Sequence, residues 1–249
     1  MRYAHLAMYG LILAGLLVPD PALGLQLPEL TLDFSGGGQP DQVSVLLQIL
    51  FLLTVLSVAP AIVLMTTSFV RIVIVLSFIR QAMGTRNMPP NQVIIGLSLF
   101  LTFFIMSPVL GRINSQAIQP YLNQEIGDRE ALTQAMEPVR TFMFEQVREK
   151  DLQLLVDITQ SEPPQTREDV DTVTLIPAFM LSEIKRAFQI GFMIFVPFLV
   201  IDMVTASVLM SMGMLMLPPI IISLPFKVLL FVLVDGWHLV VQSLVQSFM

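Results

Sequence analysis

Hydrophobic residues are gathered along the chain into four long blocks, and polar residues separate them. The blocks cover 43–79, 93–110, 187–217 and 220–245. Each block is long enough to cross a bilayer as a helix, which takes about 20 mainly apolar residues. The pattern therefore predicts an all-α fold with about four spans, because a helix satisfies its own backbone hydrogen bonds within lipid.

Polar stretches divide the chain between these blocks. A loop is predicted over 80–92, since this stretch combines Gly84 with the pair Pro89-Pro90. We therefore expect helical hairpins of long apolar helices on either side of one long polar segment. The first hairpin is assigned to 43–110, the polar segment to 111–172 and the second hairpin to 173–249.

The polar segment is predicted to be helical over 128–158, where apolar residues recur near the helical period. These residues are Leu132, Met136, Val139, Met143, Val147, Leu154 and Ile158. A single apolar face predicts an amphipathic helix that packs on the bundle or on a partner. Pro138 interrupts the run, so two helices or one kinked helix are expected.

The N-terminal stretch 1–24 has the three parts of a secretory signal peptide. Arg2 begins it, an uncharged apolar run covers 6–18, and the small residues Ala22 and Gly24 fit a cleavage site. The alternative is an uncleaved transmembrane helix, but the run has about 13 residues where a span needs about 20. Cleavage would leave a flexible segment over 25–42 and an exported N-terminus.

Composition agrees with a membrane location. Hydrophobic residues make up 55% of the chain and charged residues only 13%, whereas a soluble domain has about 25% charged residues. The net charge of −6 argues against a nucleic-acid partner, because phosphate binding needs a basic face. The absence of cysteine excludes disulfides, thiolate zinc sites and iron–sulfur clusters.

Loop charges predict the orientation of the spans. The loop 80–92 holds Arg80 and Arg86 and no acid, whereas 111–172 holds twelve acidic and six basic residues. Basic residues in short loops favour the cytoplasmic side of the membrane. We therefore expect 80–92 to face the cytoplasm and 111–172 to be extracytoplasmic, which agrees with an exported N-terminus.

Several ionisable residues lie inside or beside the apolar blocks: Arg71, Glu183, Lys185, Arg186, Asp202, Lys227 and Asp235. A charge at the centre of a membrane helix costs at least ~2.5 kcal/mol, so such residues face protein or water and usually pair. Glu183 lies far from the predicted turn of the second hairpin and Lys227 lies near it, which predicts an ion pair between neighbouring copies. The alternative is a lysine that snorkels near a helix end.

Catalytic, cofactor and metal sites are not predicted. Asp202 and Asp235 could share a proton and activate water, as in an aspartyl hydrolase, but VIDMV and LVDGW lack the expected glycine-flanked pattern, which favours structural or interface aspartates. Met210 and Met214 share a helical face, yet no histidine or cysteine lies nearby to complete a copper(I) site. An autonomous membrane transporter or an intramembrane hydrolase remains the alternative function.

Methionine is concentrated in one stretch, VLMSMGMLMLPP, over residues 208–219. Met210, Met212, Met214 and Met216 occupy alternate positions, Gly213 lies among them, and Pro218-Pro219 close the run. Methionine is an unbranched, adaptable apolar side chain. The stretch is therefore interpreted as lipid-facing filler, as a soft-metal site or as a deformable seal.

Long motifs of the apolar blocks resemble one family closely. They are TSFVRIVIVLSFIRQAMGT, PPNQVIIGLSLFLTFFIMSP, AFQIGFMIFVPFLVIDMVTASVLMSMGMLMLPP and LPFKVLLFVLVDGWHLVVQSL. In this order they are similar to the FliP component of the bacterial flagellar type III export gate, from about Asp41 to the end of the sequence. Relatives in virulence secretion share the motifs, and the signal peptide and long outer segment favour the flagellar branch.

The resemblance implies an oligomeric, membrane-associated channel subunit rather than an enzyme. About five copies would assemble with the Q and R components into a helical, cone-shaped gate. Unfolded flagellar subunits would pass through it in the bacterial inner membrane, at the flagellar basal body, beside other export-apparatus membrane proteins. The resemblance also implies that much of the gate lies above the lipid plane, so the count of spans measures hydrophobicity.

The resemblance also implies roles for particular residues. The family's methionine gate corresponds to Met214, Leu215 and Met216, where relatives often have three consecutive methionines. Phe142, in VRTFMF, corresponds to a phenylalanine near the channel plug. Glu183 and Lys227 correspond to charged positions of the family pattern, which agrees with the predicted intersubunit pair.

Overall fold

The computed structural model describes residues 40–85, 88–159, 166–167, 169–214 and 216–249, with side chains from residue 47 onward. The predicted signal peptide 1–24 and most of the segment 25–42 lie outside these residues, as does Leu215. The chain divides at Leu52, and every contact described below lies within the unit 53–249. No strand occurs in the described ranges, so the prediction of an all-α fold is confirmed.

Nine α-helices and one π-helical turn make up the described chain. The helices are α1 (Pro40–Met65), α2 (Phe69–Ala82), α3 (Asn91–Ile113), α4 (Gln119–Leu122), α5 (Asp128–Gln146), α6 (Glu149–Ile158), α7 (Thr172–Ser211), α8 (Pro219–Leu233) and α9 (Gly236–Gln246). The π-helical turn Asn114–Ile118 continues α3 directly into α4. Among the described residues, α1 reaches into the end of the predicted flexible segment, because it begins at Pro40.

The first predicted apolar block is broken into two helices with different surroundings. Thr66 and Thr67 donate hydroxyl hydrogen bonds to the carbonyls of Ile62 and Leu64, each at 3.0 Å, and so cap the end of α1. The side chains of α1 are mostly exposed, whereas α2 is buried. The hydroxyl-rich stretch between them therefore ends one helix and starts another, which hydropathy alone did not indicate.

Helix α2 forms the centre of the larger hydrophobic cluster. Ile72, Val75, Leu76 and Ile79 are at most 2% exposed and follow the i, i+3, i+4, i+7 spacing of one helix face. This face packs against α3 and α7. At 14 residues α2 is too short to span a bilayer, so its hydrophobicity serves the protein core.

The approach of α7 to α2 depends on Gly191. A β-carbon at this position would lie 2.6 Å from the ring of Phe78. Next to it, the rings of Phe78 and Phe188 meet edge to face, with centroids 5.1 Å apart. Glycine is therefore required at residue 191 because the neighbouring helix occupies the space of a side chain.

The outer segment contains two helices, but the break between them is not at Pro138. Helix α5 continues through Pro138, and the backbone becomes extended only at Val147 and Arg148. There the Arg148 N–H donates to Ser182 Oγ at 3.0 Å, and Ser182 Oγ donates to Asp151 Oδ2 at 2.8 Å. Hydrogen bonds to Ser182 of α7 therefore stabilise the break between α5 and α6. The helix propensities of the residues around the break could not predict this contact, because it comes from a distant part of the chain.

The second apolar region contains one very long helix and a bent pair. Helix α7 has 40 residues and begins with Asp171 as its N-cap, whose side chain accepts from the Val173 N–H. At 1.5 Å per residue it is about 60 Å long, roughly twice the bilayer hydrocarbon thickness. Helices α8 and α9 are bent by 64° at Asp235, which has a left-handed backbone.

Three helical stretches in the described chain are long and apolar enough to cross a membrane. They are Leu47–Met65, Asn91–Leu122 and Thr172–Ser211, and the bent pair α8–α9 brings the number to as many as four. The predicted number of about four spans agrees with this upper value. The fourth block, 220–245, is predicted as one continuous span, but in the structure it forms the bent pair α8–α9. The left-handed backbone of Asp235 interrupts the helix there.

Candidate functional site: a methionine loop above buried ion pairs

The methionine loop, residues 212–218, joins α7 to α8. Helix α7 ends in a Schellman arrangement: the Met214 N–H donates to the Leu209 carbonyl and the Gly213 N–H to the Met210 carbonyl, each at 3.0 Å. Gly213 has φ +75°, the left-handed conformation that this ending requires. Helix α8 then starts with Pro219 at its first position, where a proline lacks no needed hydrogen bond.

The methionine side chains of this region point away from the core of the chain. Met210, Met212 and Met214 are exposed, and Met216 at the tip of the loop is 98% exposed. Adjacent exposed apolar side chains usually mark an interaction surface or a lining. Within the described residues, no group of three or more histidine or acidic side chains could hold a metal ion.

Lys227 is a buried residue of α8, within the hairpin α7–α8 that carries the methionine loop. Its ammonium group lies 2.6 Å from Asp202 Oδ2 on α7 and donates to the Ala82 carbonyl at 3.2 Å. Ser223 Oγ donates to the second carboxylate oxygen of Asp202 at 2.5 Å. The Lys227 side chain is 3% exposed and that of Asp202 is 29% exposed, so the ammonium is buried and the carboxylate is partly accessible.

Arg71 forms a second buried ion pair deep in the fold. Its side chain is fully buried and binds both carboxylate oxygens of Glu183 on α7. Its other N–H groups donate to Gln146 Oε1 at 3.0 Å and to the Ser247 carbonyl at 2.7 Å. A further N–H group donates to Ser247 Oγ at 3.0 Å, and the centroid of the Phe248 ring lies 3.7 Å from the guanidinium carbon. All five N–H donors and one face of Arg71 are therefore used.

Glu183 and Lys227, the predicted intersubunit pair, each have another partner within the folded chain. Glu183 is fully buried against Arg71, and Lys227 is bound to Asp202. Each residue therefore has a different partner from the one that was predicted. A pair between copies stays a prediction about the assembly, and it would require both intrachain pairs to open.

Phe142, the predicted plug residue, belongs to the core of the outer segment. It is 5% exposed, meets Phe179 of α7 edge to face and stacks on Phe248. Its ring is therefore enclosed by its own chain. Phe142 holds α5 against α7, and a contact with a plug remains a prediction.

The two aspartates considered for hydrolysis have different surroundings. Asp202 is bound to an ammonium group and a hydroxyl group. Asp235 occupies the bend before α9, where its backbone has φ +50°. An aspartyl dyad needs two carboxylates that share a proton, whereas the Asp202 carboxylate forms an ion pair with Lys227.

The sequence did not indicate the uncharged residues that surround Arg71. Gln146, Ser247 and Phe248 all contact Arg71, and Arg186 donates to Gln146 Oε1 at 2.8 Å. The charge of Arg71 within an apolar block signalled that a partner exists. The identity of the partners had no local signal, because Gln146 and Ser247 lie far from Arg71 in the sequence.

Comparisons with known proteins agree with the architecture. The model of the FliP family matches residues 52–244. The chain is 58% identical over 209 residues to the flagellar biosynthetic protein FliP of Bacillus subtilis (strain 168), which covers 84% of this chain and 95% of that protein.

Other relatives with the same name extend the similarity to nearly the whole chain. The FliP protein of Pectobacterium carotovorum subsp. carotovorum is 53% identical over 241 residues, covering 96% of this chain and 92% of that protein. The FliP protein of Aquifex aeolicus (strain VF5) is 47% identical over 225 residues, covering 90% and 92%. The chain therefore belongs to the FliP family of flagellar biosynthetic proteins.

Proposed function

We propose that this chain is a structural, non-catalytic subunit of the flagellar protein export gate and that its methionine loop forms part of a seal. The observation that carries the proposal is a loop made only of apolar residues and glycine, with Met212, Met214 and Met216 exposed, between α7 and α8. Met216 is 98% exposed, while the Schellman ending of α7 and Pro219 fix where the loop begins and ends. A loop presented in this way is suited to line an opening shared with other subunits.

The physical action of such a seal follows from methionine chemistry. A ring of apolar side chains around a narrow opening excludes water and therefore blocks ions. The thioether side chain has three rotatable bonds and fills irregular gaps. Met214 and Met216 would close on one another at rest and mould around an unfolded chain during export, with Leu215 as a stiffer apolar member of the ring.

Large apolar surfaces outside the loop support assembly with other subunits. Helix α7 buries one stripe of residues, while Phe188, Phe192, Met193 and Met203 on its other faces are more than half exposed. Exposed apolar side chains extend along α7 from Val173 to Met210. Since α7 is roughly twice as long as the hydrocarbon layer is thick, part of the helix lies outside lipid, and exposed apolar side chains there are stabilised by contact with protein. We propose that about five copies and the Q and R components cover it in a helical assembly.

The location proposed for this assembly is the bacterial inner membrane at the flagellar basal body. The predicted signal peptide would export the N-terminus, and the acidic segment 111–172 would then lie outside the cytoplasm. Neighbours there would be the other export-apparatus membrane proteins and unfolded flagellar subunits in transit. The alternative of an intramembrane aspartyl hydrolase finds less support, because Asp202 is bound by Lys227. An autonomous transporter stays the alternative function, and it would be monomeric or dimeric rather than part of a larger oligomer.

The seal is tested by replacing Met214 and Met216 together with alanine in flagellated cells. We expect the membrane to leak small ions while export of flagellar subunits continues, since smaller side chains leave the opening wetted. Leakage is measured by a membrane-potential dye and export by secreted subunits. Met193→Ala is the matched control, because Met193 is also an exposed methionine but lies on α7 outside the loop. Unchanged permeability in the double variant would contradict the seal.

A further inference from the structure

Lys227 makes contacts that reach beyond its own hairpin. The hairpin α7–α8 is joined across its two arms by the Lys227–Asp202 ion pair at 2.6 Å and by the Ser223–Asp202 hydrogen bond at 2.5 Å. The same ammonium group donates to the carbonyl of Ala82, the last residue of α2. Lys227, a buried cation of α8, therefore links α8 to both α7 and α2.

The position of this cation at the end of α2 is electrostatically favourable. The last carbonyl groups of a helix have no partner inside the helix and carry partial negative charge. Lys227 supplies a positive charge at that place, and the chain next turns at Gly84, which has φ +76°. A β-carbon on Gly84 would lie 3.8 Å from the Lys227 ammonium and equally far from Ile220 of α8, so the turn packs closely on the hairpin.

The distance along the chain from this contact to the methionine loop is short. Asp202 precedes the end of α7 by nine residues and Lys227 follows the start of α8 by eight, which is about 12–14 Å along each helix. Two stiff helices leave the contact and meet at the loop. A change in the angle between them would move Met214 and Met216 directly.

We propose that the Asp202–Lys227 pair is a clamp that positions the methionine loop relative to the end of α2. Asp202 acts as the positioning residue: it holds Lys227, and Lys227 caps α2 at Ala82. The clamp ties the loop to the predicted cytoplasmic turn after α2. This inference rests on the proposed function only for the consequence of the clamp, the closure of the seal, and not for the clamp itself.

The clamp is tested by a distance between spin labels in the full-length chain. The chain has no cysteine, so cysteines at Gln81 and Met216, both exposed, can be labelled specifically. The labelled chain is diluted with unlabelled chain, so that neighbouring copies add no distances, and we then expect one narrow distance in the parent chain. Asp202→Asn and Lys227→Met are expected to lose it, and Asp202→Glu, which keeps the charge, is expected to retain it.

Two controls separate the clamp from general damage. Lys185→Met removes an exposed lysine from the same helix α7 and is expected to keep the narrow distance. A second label pair at Leu132 and Val173, both exposed in the outer segment, is expected to be unchanged in Asp202→Asn. If Asp202→Asn loses this second distance as well, the double variant Asp202→Asn with Lys227→Met becomes the deciding variant, because it removes the ion pair without leaving an unpaired buried charge.

The outcomes distinguish the clamp from the seal. A narrow Gln81–Met216 distance in folded Asp202→Asn, or in the double variant Asp202→Asn with Lys227→Met where that variant decides, would overturn the clamp. A lost distance together with ion leakage supports both proposals. If Asp202→Asn loses the distance but cells that carry it do not leak ions, the clamp is supported and the seal is contradicted. If these cells leak ions while the distance is unchanged, the seal is supported and the clamp is contradicted.

Discussion

At the scale of single residues, Gly213 shows how a position can have a local and a functional meaning at once. Among the methionines it suggests a flexible point in the chain. In the structure it is the left-handed residue of a Schellman ending, which stops α7 at a defined place. The loop therefore begins at a defined point of the backbone and carries adaptable methionine side chains.

Replacing Gly213 with alanine is expected to destabilise the chain by about 1 kcal/mol, because a β-carbon is disfavoured at positive φ. The cost is conformational, since no described atom beyond the two adjacent residues lies within 4 Å of the added carbon. Gly96→Ala is the matched control: it also meets nothing within 4 Å, but it lies inside α3, where alanine stabilises a helix. Thermal unfolding of the purified chain in detergent compares the two, and an equal shift in both variants would contradict this account.

At the scale of elements, packing decides which hydrophobic helix is buried. Helices α1 and α2 are both apolar and nearly adjacent in the chain, yet α1 is largely exposed and α2 lies in the core. The difference comes from shape. The α2 face fits the stripe of α7 that contains Gly191, and the missing side chain lets the Phe78 ring enter.

Replacing Gly191 with alanine is expected to destabilise the packing of α2 on α7 by about 1–3 kcal/mol, because the added carbon overlaps the Phe78 ring. The second change Phe78→Leu should recover part of this loss by making room. Gly111→Ala, in a position with nothing within 4 Å, serves as the control. Unfolding midpoints in denaturant measure the effect, and a double variant less stable than Gly191→Ala would refute the steric explanation.

At the scale of the whole molecule, the Arg71 cluster joins the two hydrophobic cores. Arg71 belongs to α2, Gln146 to α5, Glu183 to α7, and the Ser247–Phe248 segment follows α9. Phe248 packs against both hydrophobic clusters. A polar junction of this kind specifies one arrangement of four segments, because any other arrangement leaves buried donors without acceptors.

Replacing Arg71 with methionine is expected to cost about 3–5 kcal/mol, since it leaves the buried carboxylate of Glu183 without a counter-ion. The double variant Arg71→Met with Glu183→Met should be more stable than the single variant, because no charge remains unpaired. Arg129→Met, at an exposed position, is the control. Unfolding monitored by circular dichroism provides the measurement, and a single variant as stable as Arg129→Met would show that the pair has no such role.

The amino-acid sequence by itself determined the helical class, the apolar blocks and the stop after the methionine run. These features depend on local composition: hydrophobic length, proline at the start of α8 and glycine at the end of α7. Charges in apolar blocks also indicated that buried ion pairs exist, because the free-energy cost of an unpaired charge there is too high.

Tertiary structure decided the partners and the breaks. Arg71 with Glu183 and Asp202 with Lys227 are pairs formed by residues distant in the chain, and the α5–α6 break depends on Ser182 of α7. None of these contacts leaves a local pattern, since each depends on which helix faces which. Hydrophobicity predicts that a segment leaves water, and only the packing of complementary surfaces determines what it meets.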